Sequence, residues 1–187
     1  MNERRGTRTV MGALLILAAL AASPGSSQAQ FAGRIQGGYG FGDGYGGMFG
    51  GSVGIEFPLL FGRSAFVGPW AMYNAGGTFE REGEIWDQKS TFLGIEASGA
   101  FLDEPFMIRG AGNIAAAFIT TDHPSEGKIS ETALDLSGGV AFGYQWGSWY
   151  AAVEPSTFLI IGSDNMGQSF SLLFTVGYRP EVKKKEE

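Results

Sequence analysis

The sequence predicts an all-β protein, an eight-stranded antiparallel up-and-down transmembrane β-barrel that follows a cleavable signal peptide. Three observations lead to this prediction. The chain opens with an export signal, and its composition combines 31 glycines and 13% aromatic residues with no cysteine. From residue 31 onwards, apolar side chains recur at every second position, which is the spacing of strands and not of helices.

The export signal consists of three parts in the usual order. Arg4, Arg5 and Arg8 precede an apolar run from Val10 to Ala22, and Ser27-Gln28-Ala29 supplies small residues for cleavage. The run is shorter than the roughly 20 residues that a membrane-spanning helix needs. We therefore predict a signal peptide over residues 1–29, a barrel domain over 30–180 and a charged tail over 181–187.

Charge and cysteine content restrict the function of the exported chain. After removal of residues 1–29 the chain has 10 basic and 18 acidic residues, a formal charge of −8. An acidic chain is a poor partner for nucleic acid. Without cysteine, disulfides and thiolate metal sites are excluded, and packing and hydrogen bonds must hold the fold. We expect no cofactor and no metal.

Eight segments of alternating polarity can be counted, and an even number is expected for a membrane barrel. In the sixth, Leu134, Leu136, Val140 and Phe142 share one face. The eighth repeats the pattern from Phe170 to Tyr178. The predicted strands are 31–42, 48–58, 65–79, 89–101, 106–120, 131–146, 149–161 and 167–179. Pro69 and Pro155 lie inside two of these strands and lack an N–H, so bulges are predicted at both.

The connections alternate between short and long, as in outer-membrane barrels. The short ones, near residues 58–64, 102–105 and 147–148, are assigned to the periplasm. The longer ones, at 43–47, 80–88, 121–130 and 162–167, are assigned to the outside. Aromatic residues at the strand ends beside the short connections predict a girdle at the membrane interface. Its members are Phe57, Phe101, Phe106, Tyr144, Trp146, Trp149 and Tyr178.

The second face of the strands decides between a membrane barrel and a soluble one. A soluble lipocalin-like ligand-binding barrel would carry many lysines and glutamates on its outer face, whereas here the non-aromatic face is mostly Gly, Ala and Ser. Small side chains fit the inside of an eight-stranded barrel, which leaves no large open pore. The charged members of this face are expected to form an interior ion-pair network: Arg34, Glu56, Glu96, Arg109, Asp135 and Glu154. Hairpin symmetry predicts the pairs Arg34 with Glu56 and Glu96 with Arg109.

On this pattern the chain resembles the small outer-membrane β-barrel family of OmpA/OmpX-type proteins over nearly all of residues 31–179. The resemblance implies an outer-membrane location, lipid and lipopolysaccharide around a monomeric barrel, and a non-enzymatic structural or surface-interaction role. The last strand, Phe170-x-Leu172-x-Phe174-x-Val176-x-Tyr178, is similar to the C-terminal signal of that family, which implies the outer-membrane assembly machinery as a transient partner. A charged tail follows it, whereas family members commonly end on an aromatic residue.

Besides a non-enzymatic outer-membrane barrel without a pore, the sequence leaves open a lipid-modifying enzyme, a soluble ligand-binding barrel and a barrel with a narrow water or ion path. Lipid A deacylases are similar in size and use a histidine and a serine two residues apart, a spacing that His123 and Ser125 share, with Glu126 or Asp122 as the orienting carboxylate. The segment from Asp122 to Gly127 is more typical of an exposed turn. The second alternative is the soluble ligand-binding barrel.

Overall fold

The computed structural model describes residues 30–42, 44–58, 64–81, 83–102, 105–123, 127–162 and 166–179. Within them lie eight strands: β1 (Gln30–Phe41), β2 (Gly47–Pro58), β3 (Ser64–Arg81), β4 (Glu84–Leu102), β5 (Phe106–His123), β6 (Gly127–Trp146), β7 (Trp149–Ile161) and β8 (Met166–Tyr178). The predicted signal peptide over 1–29 and the tail over 181–187 lie outside the described residues.

The eight strands form one closed antiparallel barrel, in which each strand pairs with the next and β8 pairs with β1. The predicted fold class is confirmed. The strands are staggered around the barrel. Val176 of β8 pairs with Ile35 of β1, and a path from each residue to its partner on the next strand returns to β8 at Met166. The path therefore ends ten residues before the residue at which it began. This stagger requires strands tilted by about 35–45° and leaves an interior that side chains fill.

Burial alternates along the strands as the polarity of the sequence predicts. In β8, Ser169, Ser171, Leu173 and Thr175 point inwards, and the aromatic and branched residues between them are exposed. In β7 the alternation continues unbroken from Tyr150 to Ile160. The run Phe158-Leu159-Ile160-Ile161 keeps the same alternation, so its apolar residues lie on both faces.

The bulges predicted at Pro69 and Pro155 are wrong. Each proline keeps its partner on one neighbouring strand, Pro69 with Ile95 and Pro155 with Leu172. On the other side the ladder is interrupted, between Ser52/Trp70 and Ile55/Val67 and between Gly139/Ser156 and Phe142/Val153, and the register is unchanged across both gaps. Each proline therefore removes a few inter-strand hydrogen bonds on one side, but no extra residue is inserted into the strand.

Register shifts occur at two other places. The β3–β4 pairing shifts between Asn74 and Gly77, and the β4–β5 pairing shifts between Ala100 and Leu102. Gly76 lies inside the first shift with φ +105°, a conformation that side-chain-bearing residues rarely adopt. Glycine is therefore what allows β3 to bend at this point.

Four strands continue well beyond the rest of the barrel. We call the end where β1, β3, β5 and β7 finish the long-loop end, and the opposite end the short-turn end. β3 last pairs with β2 at Asn74, and β6 first pairs with β7 at Leu134. Beyond these points, residues 75–81, 84–89, 120–123 and 127–133 have pairing partners only on β3, β4, β5 and β6. We call this four-stranded sheet the extension. The predicted loops 80–88 and 121–130 are thus wrong, because most of both is strand.

The connection between β1 and β2 folds over the lumen at the long-loop end. Asn74 of β3 is fully buried and holds this segment, accepting a hydrogen bond from the Gly46 N–H (3.1 Å) and donating one to the Gly44 carbonyl (3.0 Å). A Cβ at Gly46 would lie 1.9 Å from the carbonyl oxygen of Gly76. Residues 44–46, which we call the lid segment, thus pack directly against the bend in β3.

Candidate functional site: the lumen and the two aromatic rings

Arg34 on β1 is the centre of the first group of lumen charges. Its Nη2 lies 2.9 Å from Oε2 of Glu96 on β4, and its Nη1 lies 2.6 Å from Oε2 of Glu154 on β7. Gln36 and Thr175 also donate to the same Glu154 oxygen, at 2.9 and 3.3 Å. The three charged side chains are almost completely buried, so each carboxylate has the partners that burial of a charge requires.

Glu56 on β2 is the centre of the second group. Nη1 and Nη2 of Arg109 donate to its two carboxylate oxygens, at 3.2 and 3.3 Å, and Nε of Arg179 lies 2.8 Å from Oε1. Ser64 donates to the same oxygen and accepts from Arg179. Ser98 accepts from Arg109 and donates to Glu96, both at 3.0 Å, and so joins the two groups. We call the joined groups the lumen network.

The predicted pairs Arg34 with Glu56 and Glu96 with Arg109 are wrong. In the β1–β2 hairpin Arg34 faces Ser52 and Glu56 faces Gln30, and in the β4–β5 hairpin Glu96 faces Asn113. The hairpin centre assumed from the sequence is therefore displaced along the strands. Moreover, the stagger of a narrow barrel brings together side chains from strands that are not neighbours, so that Arg34 meets Glu96 and Glu154 across the lumen.

Asp135 lies in the lumen but apart from the network. It is fully buried, and the Ser137 hydroxyl donates to Oδ2 at 2.8 Å. Among the described residues, Oδ1 has no hydrogen-bond partner. The structure thus places all six predicted charges inside the barrel and brings five of them together.

Arg179 is a member of the network that the sequence reasoning missed. It follows β8 directly, is 5% exposed, and also donates to Gln145 at 3.4 Å. Its backbone N–H donates to the Ser148 carbonyl at 2.7 Å. The alternation of β8 was the signal that could have found it. Leu173 and Thr175 point inwards, and Arg179 continues the same every-second-residue series, although the prediction placed it only at the end of the strand.

An apolar cluster fills the lumen above the network, towards the long-loop end. The rings of Trp70, Phe92 and Phe158 pack with centroids 5.6–6.4 Å apart, and Tyr45 of the lid segment packs on Phe158 at 6.4 Å. The network itself leaves a cavity of about 10 Å³, space for about one water molecule. This packing leaves no open path along the described lumen, in line with the strand number.

The aromatic residues predicted as a girdle point outwards at the short-turn end. Six of them are 39–65% exposed, and Phe57 is half-buried. Rings on adjacent strands touch: Trp149 and Tyr178 at 5.4 Å, Phe106 and Tyr144 at 5.9 Å.

A second set of outward aromatic residues, which the sequence reasoning missed, lies near the long-loop end: Tyr39, Phe41, Phe49, Tyr73, Phe118 and Phe170. On two strands members of the two sets are eight residues apart, Phe49 and Phe57, and Phe170 and Tyr178, and on β1 the exposed Phe31 lies eight residues before Tyr39. Eight tilted strand residues rise roughly 20 Å, close to the apolar height of about 25 Å in outer-membrane barrels. Repetition of aromatic residues at this interval was the available signal.

The residues considered for catalysis are only partly described. β5 continues to His123 and β6 begins at Gly127, so the backbone at Asp122 is strand and not the exposed turn that was predicted. The His123 side chain and residues 124–126, including Ser125, lie outside the described residues. Elsewhere, the described ranges contain no group of three or more His, Cys, Asp or Glu side chains placed to hold a metal ion. Nor do they contain a helix long and apolar enough to cross a membrane.

Comparison with known proteins identifies the fold. No protein-family model and no curated protein sequence matches the chain. Among solved structures, Neisserial surface protein A is similar with a TM-score of 0.56 and 13% identity, over 81% of this chain and 98% of that one. The N-terminal β-barrel domain of Pseudomonas aeruginosa OprF (0.48, 16%, 81% and 98%) and a major outer membrane protein of Thermus thermophilus (0.49, 12%, 80% and 98%) are also similar. The chain has the fold of the small eight-stranded outer-membrane β-barrels, as predicted.

Proposed function

We propose that this protein is a non-enzymatic outer-membrane barrel, closed to solutes, that binds an extended segment of a protein partner at the open edge of its extension. The signal peptide over 1–29 delivers it, the assembly machinery inserts it by its last strand, and lipid and lipopolysaccharide surround the monomer. The two aromatic rings support a membrane position between them, with the short-turn end in the periplasm. The extension then stands in the external water.

The observation that carries the binding role is the difference between the two edges of the extension. A sheet edge exposes unpaired N–H and C=O groups that can pair with another strand. The β3 edge is bent at Gly76, and the lid segment lies directly against Gly76 and Gly77. The β6 edge from Gly127 to Ala133 pairs only with β5, continues the strand without a register shift, and exposes every side chain from Gly127 to Thr132. Among the described residues nothing covers it.

The interruption at Pro155 shows which backbone groups of β6 point to this open side. Pro155 lacks an N–H, and the β6–β7 ladder is broken where it faces Val140, so the hydrogen-bonding groups of Val140 point towards β7. These groups alternate along a strand. Because the β5–β6 register is constant, the groups of Lys128, Ser130 and Thr132 also point away from β5, into water. An added peptide strand would take the place of that water.

The variant Ser130→Pro tests this role, because it removes an N–H on the open side without removing one that β5 uses. Ser130→Ala is the matched control, since it keeps the N–H and loses the hydroxyl that lies 3.5 Å from Thr120. The probe is a library of random peptides long enough to span 127–133, selected on the refolded barrel. We expect selected peptides to bind Ser130→Pro at least about tenfold more weakly and Ser130→Ala equally well. Equal binding by both variants would contradict the proposal.

The outer-membrane location is tested separately, by fractionating cells and comparing electrophoretic mobility with and without boiling. Closed membrane barrels often resist detergent until heated, so we expect a heat-dependent shift in the outer-membrane fraction. Lys128 on the extension should react with an impermeant amine reagent in whole cells. A soluble protein without a shift would mean that the outward apolar face is not a lipid-facing surface.

A further inference from the structure

Asp135 lies outside both the network and the extension. Its surroundings in the lumen supply only part of the hydrogen bonding that a buried carboxylate needs. One oxygen accepts from Ser137, and the other has no partner among the described residues. An ionised carboxylate is unfavourable when it is buried in this state. The neutral acid costs much less, so the closed packing around Asp135 favours its protonated form.

No described side chain around Asp135 supplies a positive charge. Its register neighbours are Ala115 on β5 and Ile160 on β7. The inward residues one step further along the three strands are Asn113, Ala117, Ala133, Ser137 and Phe158. None of them titrates. Water is therefore the remaining way to stabilise the ionised form.

The lid segment closes this region on the side of the long-loop end. Burial raises the pKa of Tyr45 to about 12, and the nearby Asp135 carboxylate adds to this effect. The Tyr45 ring packs on Phe158, which lies one inward step from Ile160, the β7 partner of Asp135. The phenol remains neutral at any ordinary pH. On the other side, Trp70, Phe92 and Phe158 separate Asp135 from the network. Displacement of Tyr45 would open the long-loop end of this cluster to water.

Water can replace the hydrogen bonds that hold the lid segment. Besides the two hydrogen bonds to Asn74, the Gly40 N–H donates to the Gly46 carbonyl at 2.8 Å and the Tyr45 N–H to the Gly42 carbonyl at 3.2 Å. We propose that Asp135 and the lid segment form a proton-controlled lid. With Asp135 protonated the lid segment stays closed over a dry cluster, and with Asp135 ionised water enters and the lid segment lifts.

Amide hydrogen exchange over residues 44–48, corrected for the intrinsic pH dependence of exchange, tests this proposal. The refolded barrel is measured in micelles over roughly pH 4 to 9. We expect corrected exchange in the wild type to increase about tenfold as the pH rises, because opening becomes more frequent. Asp135→Asn cannot ionise, and its corrected exchange should stay low at every pH.

Two further variants distinguish opening controlled by Asp135 from a general effect of pH on the barrel. Asp43→Asn removes the carboxylate of the β1–β2 connection itself, at a position outside the described residues, and should leave the wild-type rise in place. Ser137→Ala removes the donor that stabilises the ionised carboxylate, so the rise should move to higher pH. A rise that persists in Asp135→Asn, or wild-type exchange that does not change with pH, would overturn the proposal.

Discussion

The half of the lumen near the short-turn end and the half near the long-loop end lie in the same narrow barrel but are filled by different side chains. In the first, Arg34, Arg109 and Arg179 cross the lumen to carboxylates on other strands. In the second, Phe92 and Phe158 pack against Trp70, and Asp135 has one hydrogen-bond donor. The difference shows that buried charge is tolerated where several strands supply partners, and that one carboxylate among apolar groups is the exception that calls for a separate role.

The largest effect is expected from removing the centre of the network. Arg34→Ala leaves Glu96 and Glu154 buried without their guanidinium, which should lower the free energy of unfolding by about 3–5 kcal/mol. Urea-driven unfolding from lipid vesicles measures this loss. Arg34→Lys is the control, because it keeps the charge but supplies only one nitrogen for two carboxylates, and it should recover part of the stability. If Arg34→Ala unfolds like the wild type, the network does not contribute to stability.

The apolar half of the lumen should lose stability when a cavity is made in it. Phe158 is 1% exposed, and Phe158→Ala should cost about 3 kcal/mol, near the lower end for such a truncation because the lid segment can collapse into the space. The same unfolding measurement applies. Phe158→Leu keeps most of the volume and should lose less than about 1.5 kcal/mol. Equal losses in the two variants would show that packing does not stabilise this half.

A smaller effect is expected at the edge of the network. Arg179→Ala should cost about 1–2 kcal/mol, since Arg109 still neutralises Glu56 on its other side. Glu56→Gln made together with Arg179→Ala provides the double-mutant cycle, and its coupling energy should be favourable. Additive losses would mean that the Arg179 contact with Glu56 contributes nothing.

The smallest effect, and the only one of opposite sign, is expected at Asp135. Asp135→Asn removes a charge that the surroundings do not compensate, so stability at high pH should rise by up to about 1 kcal/mol and stability at low pH should not change. The sign follows because burial favours the protonated acid, whose contribution to stability is lost as the pH rises. A loss of stability at every pH would show that the Asp135 carboxylate is fully partnered.

The parts of the fold that depend on period two were predictable from the sequence. Strand number, the inward series of β6 to β8 and the six buried charges all follow from alternation, which a one-residue error would have reversed. The pairings Arg34–Glu96 and Arg109–Glu56 were not predictable, because they depend on the stagger around the whole barrel. The stagger is the sum of the registers of eight strand pairs, and each turn sets the register of the pair that it connects.

The extension and Arg179 were missed for a different reason. In the extension, polar residues such as Glu80, Asp87 and Lys128 occupy both faces of the sheet. The alternation of apolar and polar residues that marks a membrane strand is therefore absent there. Arg179 was placed at the end of the last strand and was not counted among the lumen charges, because arginine is rarely buried. Only the three-dimensional closure of β8 on β1 shows that its side chain lies opposite Glu56.

The network also bears on the order in which the chain acquires its structure. Arg34 and Glu154 are 120 positions apart in the chain, and Ser64 and Arg179 are 115 apart. Contacts of such separation form late, after the loops that connect them have been closed. Interactions that are absent from the transition state act on the rate of unfolding and hardly on the rate of folding. We therefore expect the buried arginines to determine how long a finished barrel survives, while the hairpins determine how fast it is made.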